Sequence, residues 1–256
     1  MEPVIEMKQL MMSYGSQAVL RGVNLKVYPG QIIGYIGANG AGKSTTVKIV
    51  LGLIEQYYGE VTIFGRDIRA GVEYKGRIGY VPEAGDVYDC LSGQEYLTFV
   101  GDLYGVAPEV VARRAARLTQ LLGLADSYRA RISTYSKGMR QKLLIIASLI
   151  HNPDILFWDE PISGLDANSV MIVKEVMAGL AHQGKTIFYS SHIMEVVEKL
   201  SDRIVLLHNG VIAADGPIAE LRGAGVDKSL HDIFNKLTGF RGHKEVADEI
   251  ISLLVT

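Results

Sequence analysis

The sequence predicts an α/β fold with a mainly parallel sheet, an antiparallel β segment at the N-terminal side and a helical segment inserted in the middle. Three observations lead there. After residue 153, short apolar runs alternate with helical patterns, the signature of strand–helix units packed into a covered parallel sheet. Residues 4–28 instead hold two β-like runs joined by a tight turn. Residues 84–152 carry helical periodicity and caps, with no strand pattern among them.

Each element has a local reason. The run 4–12 is apolar-rich and ends at the turn Tyr14-Gly15-Ser16, and 19–28 alternates in part until Pro29-Gly30 turns the chain again. Residues 31–36 form a short apolar strand, followed by a glycine-rich loop and a helix over 43–51 that stops at Gly52. Ser92-Gly93-Gln94-Glu95 reads as a capping box opening a helix to residue 104. Pro108 suits a first helical position and starts a helix to 122, ending at Gly123. A third helix runs from Gly138 to Asn152-Pro153. Beyond it come a buried strand over 155–158, a helix over 169–182, a strand over 186–190, a helix over 194–200 and a strand over 204–208. Asn209-Gly210 then makes a hairpin into 211–214. Two amphipathic stripes close the chain, Leu230, Ile233, Phe234 and Leu237, then Val246, Ile250, Leu253 and Leu254. They read as a helix pair capping the domain. The expected division is one domain over 1–222, with its helical part at about 84–152, and a short helical extension over 223–256.

Composition narrows the function. Of 256 residues, 48% are hydrophobic and 21% charged, which fits a globular chain and excludes a disordered one. With 26 Lys and Arg against 28 Asp and Glu the net charge is −2, so no nucleic-acid partner is expected. Arg113, Arg114, Arg117, Arg129 and Arg131 accordingly read as a solvated helix face. The lone Cys90 excludes an internal disulfide and fits a reducing compartment. The first residues lack the basic and apolar regions of a secretory leader. No apolar run approaches the ~20 residues of a membrane-spanning helix.

Two motifs carry chemistry. Gly37-Ala38-Asn39-Gly40-Ala41-Gly42-Lys43-Ser44 fits G-x-x-x-x-G-K-[ST] and lies between a strand and a helix, the context this phosphate loop requires. Glycines let the backbone wrap so that N–H groups point at phosphates, and the helix adds its positive end. Lys43 can reach the β- and γ-phosphates and the Ser44 hydroxyl can ligate Mg²⁺. The apolar run 155–158 leads directly into Asp159-Glu160-Pro161. A carboxylate at a strand end can hold Mg²⁺ through water and the next can take a proton from the attacking water, so Asp159 is assigned to the metal and Glu160 to the general base. Together they describe a P-loop NTPase.

The order of further motifs narrows this. Tyr135-Ser136-Lys137-Gly138-Met139-Arg140-Gln141 opens a helix ahead of the acid pair, Ser163-Gly164-Leu165-Asp166 follows it, and a later strand ends in Ser190-Ser191-His192. This ordered set, over residues 4–219, resembles the ATP-binding subunit of ABC transporters. The resemblance implies ATP and Mg²⁺ as cofactors, a peripheral place on the cytoplasmic face of the cell membrane, separate membrane permease subunits and a second ATP-binding subunit, identical or different. It implies that Tyr14 stacks on adenine and that the phosphate loop runs from Gly37 to Thr45. It implies that Ser136 and Gly138 contact the γ-phosphate bound on the opposite subunit, that Asp166 crosses the dimer interface, and that His192 contacts the γ-phosphate and Glu160. Two ATP would be trapped head to tail between the subunits.

The chain departs from the common family pattern twice. Lys137 and Met139 interrupt a signature that usually reads Leu-Ser-Gly-Gly-Gln, which places a cation beside the partner's γ-phosphate. Glu83, in Tyr80-Val81-Pro82-Glu83, stands where the family usually has glutamine, near the metal and the permease contact. It adds negative charge that binds metal more strongly or repels nucleotide without metal. Both variants are similar to those of ABC-2-type exporter subunits, so export is the expected direction. The alternatives are soluble ABC ATPases. Ribosome-associated members carry two ATP domains, DNA-repair members need a coiled coil that has no heptads here, and a cluster-assembly ATPase differs only in having soluble partners.

Overall fold

The computed structural model describes residues 1–83, 85, 87–191, 194–222, 229–238, 248 and 251–253. Two sheets stack face to face. The first is antiparallel, in the order β2-β1-β4-β5, and comprises β1 (Ile5–Tyr14), β2 (Gln17–Val27), β4 (Tyr58–Ile63) and β5 (Arg66–Asp67). The second has the order β10-β9-β3-β8-β7-β6 and comprises β3 (Ile32–Gly37), β6 (Ile78–Val81), β7 (Ile155–Asp159), β8 (Thr186–Ser190), β9 (Arg203–His208) and β10 (Val211–Gly216). Five of its strands are parallel, and β10 returns antiparallel on β9 through the Asn209-Gly210 hairpin.

Strand periodicity explains the layers. Alternate residues of a strand point to opposite faces. Ile33, Tyr35, Phe157, Phe188, Val205 and Leu207 face the antiparallel sheet and pack on Ile5, Met7, Leu10, Leu25 and Val61. Their neighbours Ile32, Ile36, Leu156, Trp158, Ile187, Tyr189, Ile204 and Leu206 face the other way, toward helices α4 (Lys137–Leu149), α5 (Ala167–His182) and α6 (Met194–Leu200). A sheet covered on both faces needs strands apolar at nearly every position, which is why β3, β7 and β8 read as unbroken apolar runs. Trp158 satisfies its one polar atom by donating from Nε1 to Ser148 Oγ of α4 at 3.0 Å.

The middle segment makes its own small core. Helix α2 (Gly93–Leu103), α3 (Pro108–Leu121) and α4 bury Leu97, Val111, Ala115, Leu143 and Ile146 against one another. The Ser92 box closes in both directions: Ser92 Oγ accepts from Glu95 N at 3.2 Å, and Glu95 Oε2 accepts from Ser92 N at 2.7 Å. The bond from the Ser92 backbone is the main reason the Glu95 carboxyl titrates below its usual range. Its contribution to stability is therefore present above the unfolded value and lost as pH falls through the folded one.

Several elements were not legible in the sequence. Strands β4, β5 and β6 have no counterpart in the reading above, because β4 carries only Val61 and Ile63 inward and the other two are very short. Strand β1 extends to Tyr14 by absorbing bulges, with Gln9 in the left-handed region at φ +48°. The five arginines do not form one helix face. Arg129 and Arg131 lie beyond α3, and Arg131 Nη1 donates to the Cys90 carbonyl. Arg114 is half-buried and donates to the Ile150 carbonyl at 2.6 Å. In the tail, Leu230 of α8 (Leu230–Thr238) is buried in the sheet-and-helix core with Phe234 packed against it, and Ile233 is also buried. Of the second stripe only Leu253, which is exposed, lies within the described residues. The short helix α7 (Ile218–Arg222) precedes α8, and its Arg222 pairs with Glu198 of α6.

Phe157 is buried between the two sheets, its ring 5.3 Å from that of Phe188. Phe157→Ala is expected to cost about 3–5 kcal/mol in denaturant unfolding, the range for emptying an aromatic core site.

Candidate functional site

The carboxyl ends of the parallel strands converge on one cleft, where open α/β sheets bind ligands. Strand β3 delivers the chain to the glycine-rich loop, and α1 (Lys43–Val50) leaves it. Gly42 has φ +109°, and a Cβ there would lie 2.6 Å from Leu20 Cδ2 and 3.2 Å from the Val19 carbonyl. Only glycine fits where β2 presses on the loop. The first turn of α1 is pinned from the sheet: Tyr35 OH donates to Thr46 Oγ1 at 3.1 Å, and Thr46 Oγ1 donates to the Gly42 carbonyl at 2.9 Å. Tyr35 is fully buried, which pushes its hydroxyl far above the usual range and keeps it protonated as a donor.

Lys43 folds back over the loop. Its Nζ donates to the Gly37 carbonyl at 2.6 Å and the Ala38 carbonyl at 3.3 Å. Burial lowers its pKa, and the fields of Asp159, Glu160 and Glu83 oppose that shift. A lysine depressed in the fold binds fewer protons than in the unfolded chain, so this site adds stability as pH rises toward the ordinary lysine value. An anion beside Nζ favours the charged form.

The acid pair is held as firmly. In the register of β7 on β8, Asp159 lies opposite Ser190, and Ser190 Oγ donates to Asp159 Oδ1. Glu160 turns the chain with φ +49°, uncommon for a residue with a side chain. Several bonds hold that turn and the acid, among them Glu160 N donating to the Ser190 carbonyl at 3.1 Å, Ser163 N donating to the Glu160 carbonyl at 3.1 Å, and Ser191 Oγ donating to Glu160 Oε2 at 3.3 Å. Strained backbone of this kind persists where the surroundings over-determine it, and clusters at functional sites. Near the same acids, burial raises the Tyr80 hydroxyl to about 12, with Asp159 and Glu83 adding to the shift.

A cleft of about 500 Å³ joins these groups. Tyr14, Gln17 and Val19 of the β1–β2 hairpin form one wall, Asn39, Gly40, Gly42, Lys43, Ser44 and Thr45 the floor, and Glu83, Asp159 and Glu160 the far wall. Gln17 and Val19 carried no sequence signal, because nothing in their type marks them out. Tyr14 is half exposed, with a face available for stacking. His192 lies outside the described residues.

Ser136, Lys137, Gly138 and Asp166 do not line this cleft. They gather around Gly164 instead. Ser136 caps α4 by accepting from Met139 N at 3.2 Å. A Cβ on Gly138 would lie 2.6 Å from the Gly164 carbonyl, so α4 can approach that loop only with glycine there. Asp166 caps α5, accepting from Ser169 N at 2.9 Å and Ser169 Oγ at 2.6 Å, with Lys142 Nζ 3.1 Å away. Ser169 first and then Lys142 hold its carboxyl well below the usual carboxylate range. Gln141 ties the two groups together by donating to the Pro161 carbonyl at 3.1 Å. It belongs to the motif at 135–141, but only the contact reveals its part.

The cleft fits a nucleoside triphosphate with a divalent cation. It offers a backbone cradle narrowed to glycine, one cation, a hydroxyl and carboxylates. Among the described residues no group of three or more His, Cys, Asp or Glu forms a protein cage for a metal. Asp159 and Glu83 beside the Ser44 hydroxyl suit Mg²⁺, which is bound through one or two carboxylates plus substrate phosphates. Gly42→Ala is expected to weaken nucleotide binding in calorimetric titration, because the methyl would strain the loop backbone at φ +109° and press on Leu20.

A family model described as ABC transporter matches residues 20–163. The ABC transporter ATP-binding protein NatA of Bacillus subtilis is 37% identical over 84% of this chain and 88% of its own length. A fluoroquinolones export ATP-binding protein of Mycobacterium tuberculosis is 35% identical over 84% of this chain and 71% of its own. A solved ATP-binding subunit of an ABC transporter superposes with TM-score 0.87 at 33% identity, covering 92% of this chain and 99% of that one. A phosphate loop following β3, an acid pair at the end of β7 and this overall likeness make the chain a member of the ABC transporter family, with an ATP-binding ATPase domain.

Proposed function

We propose that this ATPase powers a membrane transporter, as a peripheral subunit on the cytoplasmic face, by pairing head to tail with a second copy around two Mg-ATP. The observation that carries the reading is the split of the expected ATP contacts into two groups. One lines the cleft, and the other sits at the N-termini of α4 and α5 outside it. Helix N-termini attract phosphate, so the second group suits an ATP held by another chain. Among the described residues no helix is long and apolar enough to cross a membrane; in this reading, which rests on the transporter relatives, separate permease subunits supply the path.

In each site Tyr14 stacks on adenine, and Lys43 exchanges its loop carbonyls for phosphate oxygens. Ser44, Asp159 and Glu83 hold Mg²⁺, whose chemistry is to neutralise phosphate charge as it develops. Ser190 keeps Asp159 turned toward the metal position. Glu160, oriented by Ser191, takes the proton from the attacking water, and His192 contacts the γ-phosphate and Glu160. Ser136, Gly138 and Asp166 complete the partner's site, with Lys137 adding positive charge. Glu83 and Lys137 depart from the common family motifs as export subunits do, and a relative carries export in its name, so export is the direction inferred.

Glu160→Gln is expected to keep ATP binding and lower turnover by about 10²–10⁴-fold, since the base is lost. Turnover at the unsubstituted rate would remove Glu160 from this role. Lys137→Gly should weaken both ATP-driven pairing and hydrolysis, and unchanged values of both would contradict its compensating charge. Tagged Glu160→Gln drawn from native membranes with Mg-ATP should bring a polytopic membrane protein with it. Recovery of soluble partners alone would favour a soluble ABC ATPase.

A further inference from the structure

A second cleft, of about 470 Å³, lies between α3, the end of α4 and α5, lined by residues that contribute nothing to the nucleotide site. Its floor is apolar: Leu118 of α3, Leu149 of α4, Pro153, and Val176 and Leu180 of α5. Its rim is cationic, formed by Arg113, Arg114, Arg117 and Lys185. The volume lies within the ~300–1,000 Å³ of small-molecule sites.

The charges are unbalanced. Among the described residues none of the four has a carboxylate partner. Arg114 donates to the Ile150 carbonyl at 2.6 Å, Arg117 to Gln120 Oε1 at 2.7 Å, and Lys185 to the Pro153 carbonyl at 2.5 Å. These neutral acceptors position the heads without neutralising them. The neighbouring acid Asp154 is taken by Arg77 at 2.6 Å. Burial lowers the pKa of nearby His151, and Lys185 and Arg114 add to that shift, so their field reaches inward. In a chain of net charge −2, four cations around an apolar hollow are a local exception.

We propose that this cleft binds a free single-chain anionic amphiphile, its carboxylate held by the arginine forks and its alkyl chain on the α3–α4–α5 floor. A guanidinium matches a carboxylate through paired N–H donors. An apolar floor has no use for a nucleotide or an inorganic ion and suits an alkyl chain. The occupant would touch helices of both the inserted segment and the sheet core, and so tie the two together.

The test is calorimetric titration of the full chain with dodecanoate below its micelle concentration, with dodecyltrimethylammonium as the opposite-charge probe. Dodecanoate should bind and the cation should not. Arg113→Glu/Arg117→Glu, at two exposed positions, should weaken dodecanoate at least tenfold, and so should Val176→Trp, which fills the floor and keeps the charges. Should Val176→Trp fail to melt cooperatively, the double variant decides alone. Equal binding of both probes, or no loss in the arginine variant, would overturn the proposal. So would flotation with vesicles of 70% phosphatidylcholine and 30% phosphatidylglycerol in a chain that ignores free dodecanoate, since the cations would then serve a membrane surface.

Discussion

The site depends on one register, the parallel pairing of β7 with β8 that sets Asp159 opposite Ser190. Slip it by one residue and every side chain of β7 changes face. Trp158 would enter the inter-sheet core, Phe157 would meet α4, and the carboxylate of Asp159 would leave Ser190. The apolar alternation that fills two cores is thus the same alternation that delivers the acids to the cleft. Because β8 also pairs with β3, the phosphate loop inherits its distance from the acids through two ladders of backbone bonds.

On that frame the mobile charges are few and each is steered by neighbours. Lys43 is folded onto carbonyls, Asp159 is bonded to Ser190 and Glu160 to Ser191, so each charged group of the site is held by a fixed neighbour. Such preorganisation is what electrostatic stabilisation of a transferring phosphoryl group requires. Burial depresses Lys43 while three carboxylates restrain the shift. A phosphate at that spot adds to the carboxylates' effect and favours the ammonium. The groups around Gly164 are equally set, since Asp166 is locked by Ser169 and Lys142 and Ser136 by the first turn of α4.

The sequence displayed this unevenly. The phosphate loop, the acid pair and the covered parallel sheet were legible because each combines local pattern with a steep physical requirement: glycine at positive φ, a carboxylate at a strand end, apolar residues on both faces. The strands β4, β5 and β6 were not, because they bury at most two side chains each and their identity comes from the ladder they join. Arg114 looked solvated because sequence cannot show the Ile150 carbonyl that receives it. Glu160's left-handed backbone left no trace either, since the bond from Glu160 N to the Ser190 carbonyl that helps impose it comes from the neighbouring strand. Gln141 shows the same limit, being part of a recognisable motif whose contact to Pro161 appears only once α4 is packed.

The claim that most needs a direct measurement is that a complete site takes two chains. Sedimentation equilibrium of Glu160→Gln with and without Mg-ATP measures it. The account predicts that ATP doubles the mass of one chain, and that adding Gly138→Asp abolishes the doubling while ATP still binds, because Gly138 lies outside the chain's own cleft. Unsubstituted protein that turns over ATP while remaining a single chain at every concentration would contradict it.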